Sequence, residues 1–407
     1  MAFSNNTAYC ELKRRGYPVH NVVVLGSRFG GSATAYWLSK LFERREITVT
    51  IVDQWTLMTY RPALVRVAAG HPAQADNWHI PMVRRYQRAG FRFIRDTAYQ
   101  IDPRAQKIHL ATHPPLPYDT VFVATGADPA WEAIDGLGPH HGGVCEDYLA
   151  RQTAYALSKT AGPIVVGVGP LYYSGSPVRL RASLDVPALE VAFLLDAWLS
   201  KHRRRQDIPI TVITPACVPG ESLGPKSQAI LTRELERRQI QLIAESKVEQ
   251  VGDSHITLYP QRVIKADQMI WIPPYHGSQL ARRSGLDDGW GWIPTDKYCR
   301  HEKWSNVYAV GDINRSALPK LGHIAMLQAK VAVHALWAAM HHKSAQPFTP
   351  FVLHVIWTGH GRGLFTLSDI LYGGKRDWVY FGAPASLAKT AFNASYRFFS
   401  GWMPIMP

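Results

Sequence analysis

The chain has 407 residues, 46% of them hydrophobic, enough for two domains with a sizeable core, which excludes an intrinsically disordered protein. Its 45 lysines and arginines against 31 aspartates and glutamates leave a formal charge of +14, a surplus that attracts an anionic membrane surface or a nucleic acid. Four cysteines without CxxC spacing exclude a disulfide framework and predict no metal centre, and no nucleic-acid-reading motif is present.

The N-terminal stretch MAFSNNTAYCELKRRGYP lacks the apolar core of a signal peptide, and no apolar run of about 18 residues occurs, so a cytoplasmic protein that does not span a membrane is expected. The first strong signal is VVVLGSRFGG, Val22 to Gly31. An apolar strand ends at Gly26 and feeds a helix starting near Gly30, which aims unpaired backbone N–H groups at one spot suited to a pyrophosphate. The next strand, TVTIVD, ends in Asp53, whose carboxylate can accept from the hydroxyls of an adenosine ribose. Arg28 stands where the second glycine of such a turn is usual; it either pairs with a phosphate from the side or marks a loosened site.

Tyr118 to Ala124, in PYDTVFVATGADP, reads as a strand, with Thr125 and Gly126 forming a tight turn against a bound ligand. A second strand-glycine signal follows at GPIVVGVGP, but a long insertion separates it from a helix near Ala188, and the next strand ends in Thr214 and Pro215. This unit keeps the shape of a nucleotide fold without an acidic ribose ligand, so it is not expected to bind NAD(P)H. The run KHRRR from Lys201 reads as a solvated helix end. Val307 to Val310 is a buried strand with Gly311 and Asp312 turning at its end, where Asp312 can meet a ribitol hydroxyl or a phosphate. In PASLAKTAFNASYRFFSGWMPIMP, Lys389, Asn393 and Arg397 share one helical face while Leu387, Ala391, Phe392, Ala394, Phe398 and Phe399 fill much of the rest. That pattern suits a helix lying in a membrane interface, or one packed on the protein's own core or a partner subunit.

LGSRFGG with Asp53, then VFVATGA, then NVYAVGDIN resemble, in this order, the two-dinucleotide-domain flavoproteins of the pyridine nucleotide-disulfide reductase superfamily. YRPALVRVAAG, ITVITPACVPG and PKLGHIAMLQAKVAVHAL narrow the resemblance to the sulfide:quinone oxidoreductase and flavocytochrome c sulfide dehydrogenase branch, over nearly the whole chain. The resemblance implies an α/β fold of two tandem Rossmann-like domains with a C-terminal membrane-associating region. Residues 1–155 with 295–345 are expected to hold FAD, 156–294 to form the degenerate second domain, and 346–407 to cover the flavin and bind the membrane. It implies Gly26, Gly30 and Gly31, with Arg28 beside them, at the pyrophosphate; Asp53 at the ribose; Thr125 and Gly126 beside the cofactor; and Gly311 and Asp312 at the ribitol. Lys320 and Gly322 would lie along the pyrimidine edge, stabilising negative charge on reduction.

Sulfide oxidation in this branch uses two cysteines, one taking sulfur and passing electrons to the flavin, the other carrying the sulfur chain. The matching positions here are near Ser174 and Val355, so a standard sulfide oxidase is not expected. Cys145, in GGVCEDY, matches a third cysteine that in some members tethers the flavin; otherwise it is a small buried hydrophobe. His323 and His360 are candidate proton relays for quinone reduction, or ordinary core and surface histidines. The reading is an FAD-dependent oxidoreductase passing two electrons from an unidentified donor to quinone, peripheral on the inner face of the cell membrane, binding no nucleic acid, with a homo-oligomer and a membrane protein partner both left open. Its alternatives are a type 2 NADH:quinone oxidoreductase and a non-enzymatic flavin-binding electron-transfer or scaffold subunit.

Overall fold

Strand β1 (His20–Leu25) has Val22 to Leu25 buried on both faces, as a central strand of a parallel sheet requires. The computed structural model describes residues 19–71, 78–170 and 180–402; Cys10 and Ser174 lie outside them. Helix α1 (Phe29–Leu41) follows, and its buried residues Gly30 to Ala35 are all small. Small side chains let it sit between the sheet and a long later helix without displacing either.

The chain then adds β2 (Ile47–Asp53), α2 (Leu64–Ala68), β3 (Arg92–Arg95) and β4 (Thr120–Val123). It next builds a second layer from β5 (Ile164–Val168), α3 (Val186–Lys201), β6 (Ile210–Ile213), β7 (Gln241–Ile243) and β8 (Gln268–Ile272). With β9 (Val307–Ala309) it returns to the first sheet, whose order is β9-β4-β1-β2-β3, all parallel. Leu25 stands opposite both Val52 and Val123, and Val123 opposite Ala309. Gly26, Asp53, Ala124 and Val310 therefore line up along the carboxyl edge, where open α/β sheets bind ligands.

The second sheet, β7-β6-β5-β8, is also parallel. Its glycines have a packing reason: a Cβ on Gly167 would lie 2.5 Å from the Trp271 ring, and one on Gly169 would lie 2.3 Å from the Pro274 nitrogen. Helix α4 (Gly322–Met340) packs along α1. The chain closes with an antiparallel sheet of β10 (Val352–Trp357), β11 (Gly363–Ser368) and β12 (Asp377–Gly382), against which α5 (Ala383–Phe398) packs. No helix among the described residues is long and apolar enough to cross a membrane.

On helix α5 the polar face read from sequence is divided, with Arg397 exposed. Lys389 and Asn393 are buried rather than solvated: Lys389 pairs with Glu190 of α3, and Asn393 accepts from the Tyr60 hydroxyl at 2.8 Å. Leu387 and Phe398 face outward instead, 68% and 80% exposed. Trp402 packs against Tyr36, Tyr86 and Phe91 of its own chain, so it anchors the helix end rather than reaching outward.

Candidate cofactor site

Three turns converge at the carboxyl edge of the first sheet. Gly26, at φ +93°, leaves no room for a Cβ, which would lie 2.5 Å from the Ala124 carbonyl oxygen; a Cβ on Gly31 would lie 1.8 Å from the Gly26 oxygen. Gly30 rests on Val310 and Ala124, and Gly322 on the Phe29 ring. Backbone is packed on backbone here because no side chain intervenes.

Helix α1 has no side chain capping its N-terminus, so its first-turn N–H groups are available to an anion. Gly126, at φ +81°, faces open space, and the Asp312 carboxylate is half-buried, with no hydrogen bond or ion pair among the described residues, though it acts electrostatically on Lys320 and Arg61. Free amides, an open glycine turn and a carboxylate without a hydrogen-bond donor in one row fit a dinucleotide flavin. Asp53 does a job the sequence did not reveal: its Oδ2 accepts from the Ser27 N–H at 2.7 Å and the Ser27 hydroxyl at 2.8 Å, bracing the glycine turn.

Arg28 turns to protein rather than standing alone over the turn. Its guanidinium reaches Glu146 at 3.4 Å, and Glu146 also pairs with Arg61. Burial opposes charge on Glu146, yet Arg61 and Arg28 hold its carboxyl below the usual carboxylate range. Arg61 suffers the same desolvation, which Glu146 more than offsets, so it stays charged. Cys145 sits in this group: burial pushes its thiol up, partly countered by Arg61 and by a hydrogen bond from Tyr275. It is held as a thiol, not a thiolate. Arg61, Glu146 and Tyr275 were not picked out from sequence; the first two stand inside YRPALVRVAAG and GGVCEDY, motifs that signalled the segment but not the ion pair folding creates.

Lys320 is half-buried and donates to the carbonyls of Asp312 at 2.9 Å and Asn314 at 3.0 Å, above the Trp292 ring. Burial pushes its ammonium down to about 8, with Asp312 opposing. His323 opens α4 beside Gly322; burial lowers it to about 4, and its Nε2 is buried without a hydrogen-bond partner. It is neutral at pH 7. His354 lies near it and near Lys389, pushed by burial to about 3. His360 is placed apart from these groups, on the β10–β11 turn, with its Nε2 3.1 Å from Asp196. Val355 lies on β10, Cys299 is buried, and exposed Cys217 meets Glu245.

The sequence model of the pyridine nucleotide-disulphide oxidoreductase family matches residues 20–329. A sulfide-quinone reductase of Aquifex aeolicus is 23% identical over 319 residues, 74% of this chain and 69% of that protein. The mitochondrial sulfide:quinone oxidoreductase of Dictyostelium discoideum is 23% identical over 406 residues, 94% of this chain and 86% of that one. Among solved structures, the Aquifex aeolicus sulfide:quinone oxidoreductase superposes with a TM-score of 0.84 at 20% identity, covering 94% of this chain and 92% of that one. NDH2 of Plasmodium falciparum, solved with NADH, gives 0.72 at 12% identity over 95% and 98%.

Proposed function

The chain belongs to the pyridine nucleotide-disulphide oxidoreductase family and is an FAD-dependent oxidoreductase; from that premise we propose that it passes two electrons from a donor other than sulfide to a quinone at a membrane surface. The observation that carries the reading is the row of glycine turns at the sheet edge, with α1 uncapped above it and the Asp312 carboxylate free of hydrogen bonds among the described residues beside it. FAD supplies a two-electron carrier that accepts from one substrate and delivers to another.

The chain's own residues do the rest. The α1 amides bind pyrophosphate oxygens, Asp312 orients the ribitol, and Lys320, held by two carbonyls, places a positive charge near the ring's pyrimidine edge. Cys145, packed against Arg61 and Tyr275, stands for the cysteine that tethers or flanks the flavin. Val355 presents a branched alkyl group at the position matched to a sulfur-carrying cysteine of the sulfide-oxidising branch, and a hydrocarbon cannot hold a sulfur chain. The quinone acceptor follows the two sulfide:quinone oxidoreductase relatives. Against NADH as donor stand Gly167 and Gly169, whose smallness is used up by Trp271 and Pro274.

Membrane contact is supported by α5, which buries Lys389 and Asn393 and leaves apolar side chains outward together with Arg397. Leu387, Phe392 and Phe398 are exposed, and on neighbouring β12 so are Trp378 and Tyr380. Aromatic and aliphatic side chains grouped in this way suit the headgroup boundary of a bilayer. The test is the visible spectrum of purified protein, with absorbance near about 450 nm expected from the flavin ring, followed by anaerobic mixing with sulfide, NADH and a quinol in turn. Reversible reduction by the quinol alone supports the reading. Rapid reduction by sulfide or NADH overturns the donor assignment, and colourless protein that cannot take up FAD overturns the whole.

A further inference from the structure

A cavity of about 550 Å³ opens between the end of α2, the C-terminal turns of α3, the β10–β11 turn and the start of α5. Arg66, His71, Lys201, His202, His360 and Arg362 line it, and no acidic residue does. The nearest carboxylates are already engaged: Asp196 pairs with Arg205, Arg238 and His360, and Glu190 with Lys389. Arg66, Lys201 and Arg362 have no ion pair among the described residues; Arg66, half-buried, stacks over Trp357 at 4.9 Å, and Arg362 over Phe381 at 4.2 Å.

The run that sequence alone reads as a solvated helix end is divided by the fold. Arg204 and Arg205 are turned onto the protein, to the Thr160 carbonyl and to Asp196, while Lys201 and His202 are left to the cavity. The half-buried Arg66 guanidinium is offset only in part, by the Trp357 ring and by the Glu190 carboxylate that it shares with Lys389, so a bound anion lowers its remaining desolvation cost. Two guanidinium forks held on aromatic faces match the oxygens of a phosphate, and the hydroxyl of Ser386 adds a donor at the rim, where the Thr390 hydroxyl already donates to the Ser386 carbonyl at 3.0 Å.

We propose that this cavity binds a terminal phosphate group, that of a phosphate monoester or of free phosphate, clamped by Arg66 and Arg362 and steered by Lys201. It is separate from the cofactor site: Arg61, before α2, serves the Glu146 cluster, whereas Arg66, near the far end of α2, points into the cavity. Its rim residue Ser386 adjoins the outward-facing Leu387, so the group is either a lipid headgroup reached from the bilayer or a soluble phosphate. Nothing in this binding requires the flavin or the quinone, and its failure leaves that reading untouched.

The full-length flavoprotein is titrated calorimetrically with dihexanoyl phosphatidic acid, inorganic phosphate and dihexanoyl phosphatidylcholine. Saturable binding of the phosphatidic acid alone assigns a lipid headgroup; binding of inorganic phosphate as well assigns a soluble phosphate site; both support the proposal. Arg66→Gln with Arg362→Gln weakens binding about tenfold or more, the loss expected for charge-assisted hydrogen bonds, while Arg104→Gln on an exposed turn changes nothing. Retained flavin and an unchanged melting point certify the double variant, and if it fails to fold, Lys201→Gln on the exposed helix end serves, with a severalfold loss expected. No binding of phosphatidic acid or inorganic phosphate, binding of phosphatidylcholine, whose phosphate is a choline-blocked diester, as tight as that of phosphatidic acid, or wild-type affinity in a folded variant overturns it.

Discussion

Replacing Lys389 with methionine tests whether α5 is held by its buried polar face. The ammonium contacts Glu190, lies 4.5 Å from the Trp357 ring centre, and both charged side chains are almost wholly buried. Burial pushes Glu190 up and Lys389 down, each partly offset by the other. Removing the lysine leaves a carboxylate whose remaining donor is the Trp357 N–H at 2.8 Å, at a cost of about 3–5 kcal/mol for a broken buried pair. Scaling melting shifts with chain size turns this into a fall of roughly 5 °C. Glu190→Gln added to Lys389→Met removes the charge but keeps an amide oxygen for Trp357, so the double variant recovers most of the loss, to within about 1 kcal/mol. Melting followed by tryptophan fluorescence compares the four proteins. A wild-type melting point for Lys389→Met, or a double variant as unstable as the summed singles, refutes the reasoning. Vesicle binding by the folded fraction stays unchanged, because this lysine is buried against Glu190 and not on the outward side of α5.

Gly31→Ala places a methyl where the Gly26 oxygen stands 1.8 Å away, so flavin absorbance is lost even in variant protein that stays soluble. Phe392→Ser with Phe398→Ser, at residues 43% and 80% exposed, removes roughly 250 Å² of apolar surface, a ceiling of about 6 kcal/mol; sedimentation with anionic liposomes falls at least about tenfold, and undiminished binding refutes α5 as the contact. Asp96 supplies a pH dependence. Against the penalty of burial, hydrogen bonds from His113, Thr97 and Thr112 hold its carboxyl well below the usual range. Its stabilisation is therefore complete above the ordinary carboxylate pKa of about 4 and lost as pH falls through the lower folded value; Asp96→Asn flattens the acid limb of a stability–pH curve, and an unchanged limb shows that other groups set it.

The first sheet and its turns were legible because their signals are local. Consecutive apolar residues make a strand buried on both faces, and Gly26 must take a positive φ directly after it. Position along the carboxyl edge then follows from register, so Asp53, Gly126 and Asp312 could be named from spacing alone. The second unit's missing acidic residue was equally local. What spacing could not show was any pairing between distant segments: Arg28 with Glu146, Arg61 beside Cys145, or the basic run split between Asp196 and a cavity. The sharpest case is α5, where periodicity grouped Lys389, Asn393 and Arg397 but could not say that the first two turn inward while Arg397 is left exposed. A helical pattern fixes relative angle around one axis, and only the Glu190 carboxylate and the Tyr60 hydroxyl, contributed by other parts of the chain, make burial of Lys389 and Asn393 the lower free energy. The sequence by itself determined which residues share a face; the tertiary structure decided which of them meet solvent, because that choice depends on partners more than a hundred residues away.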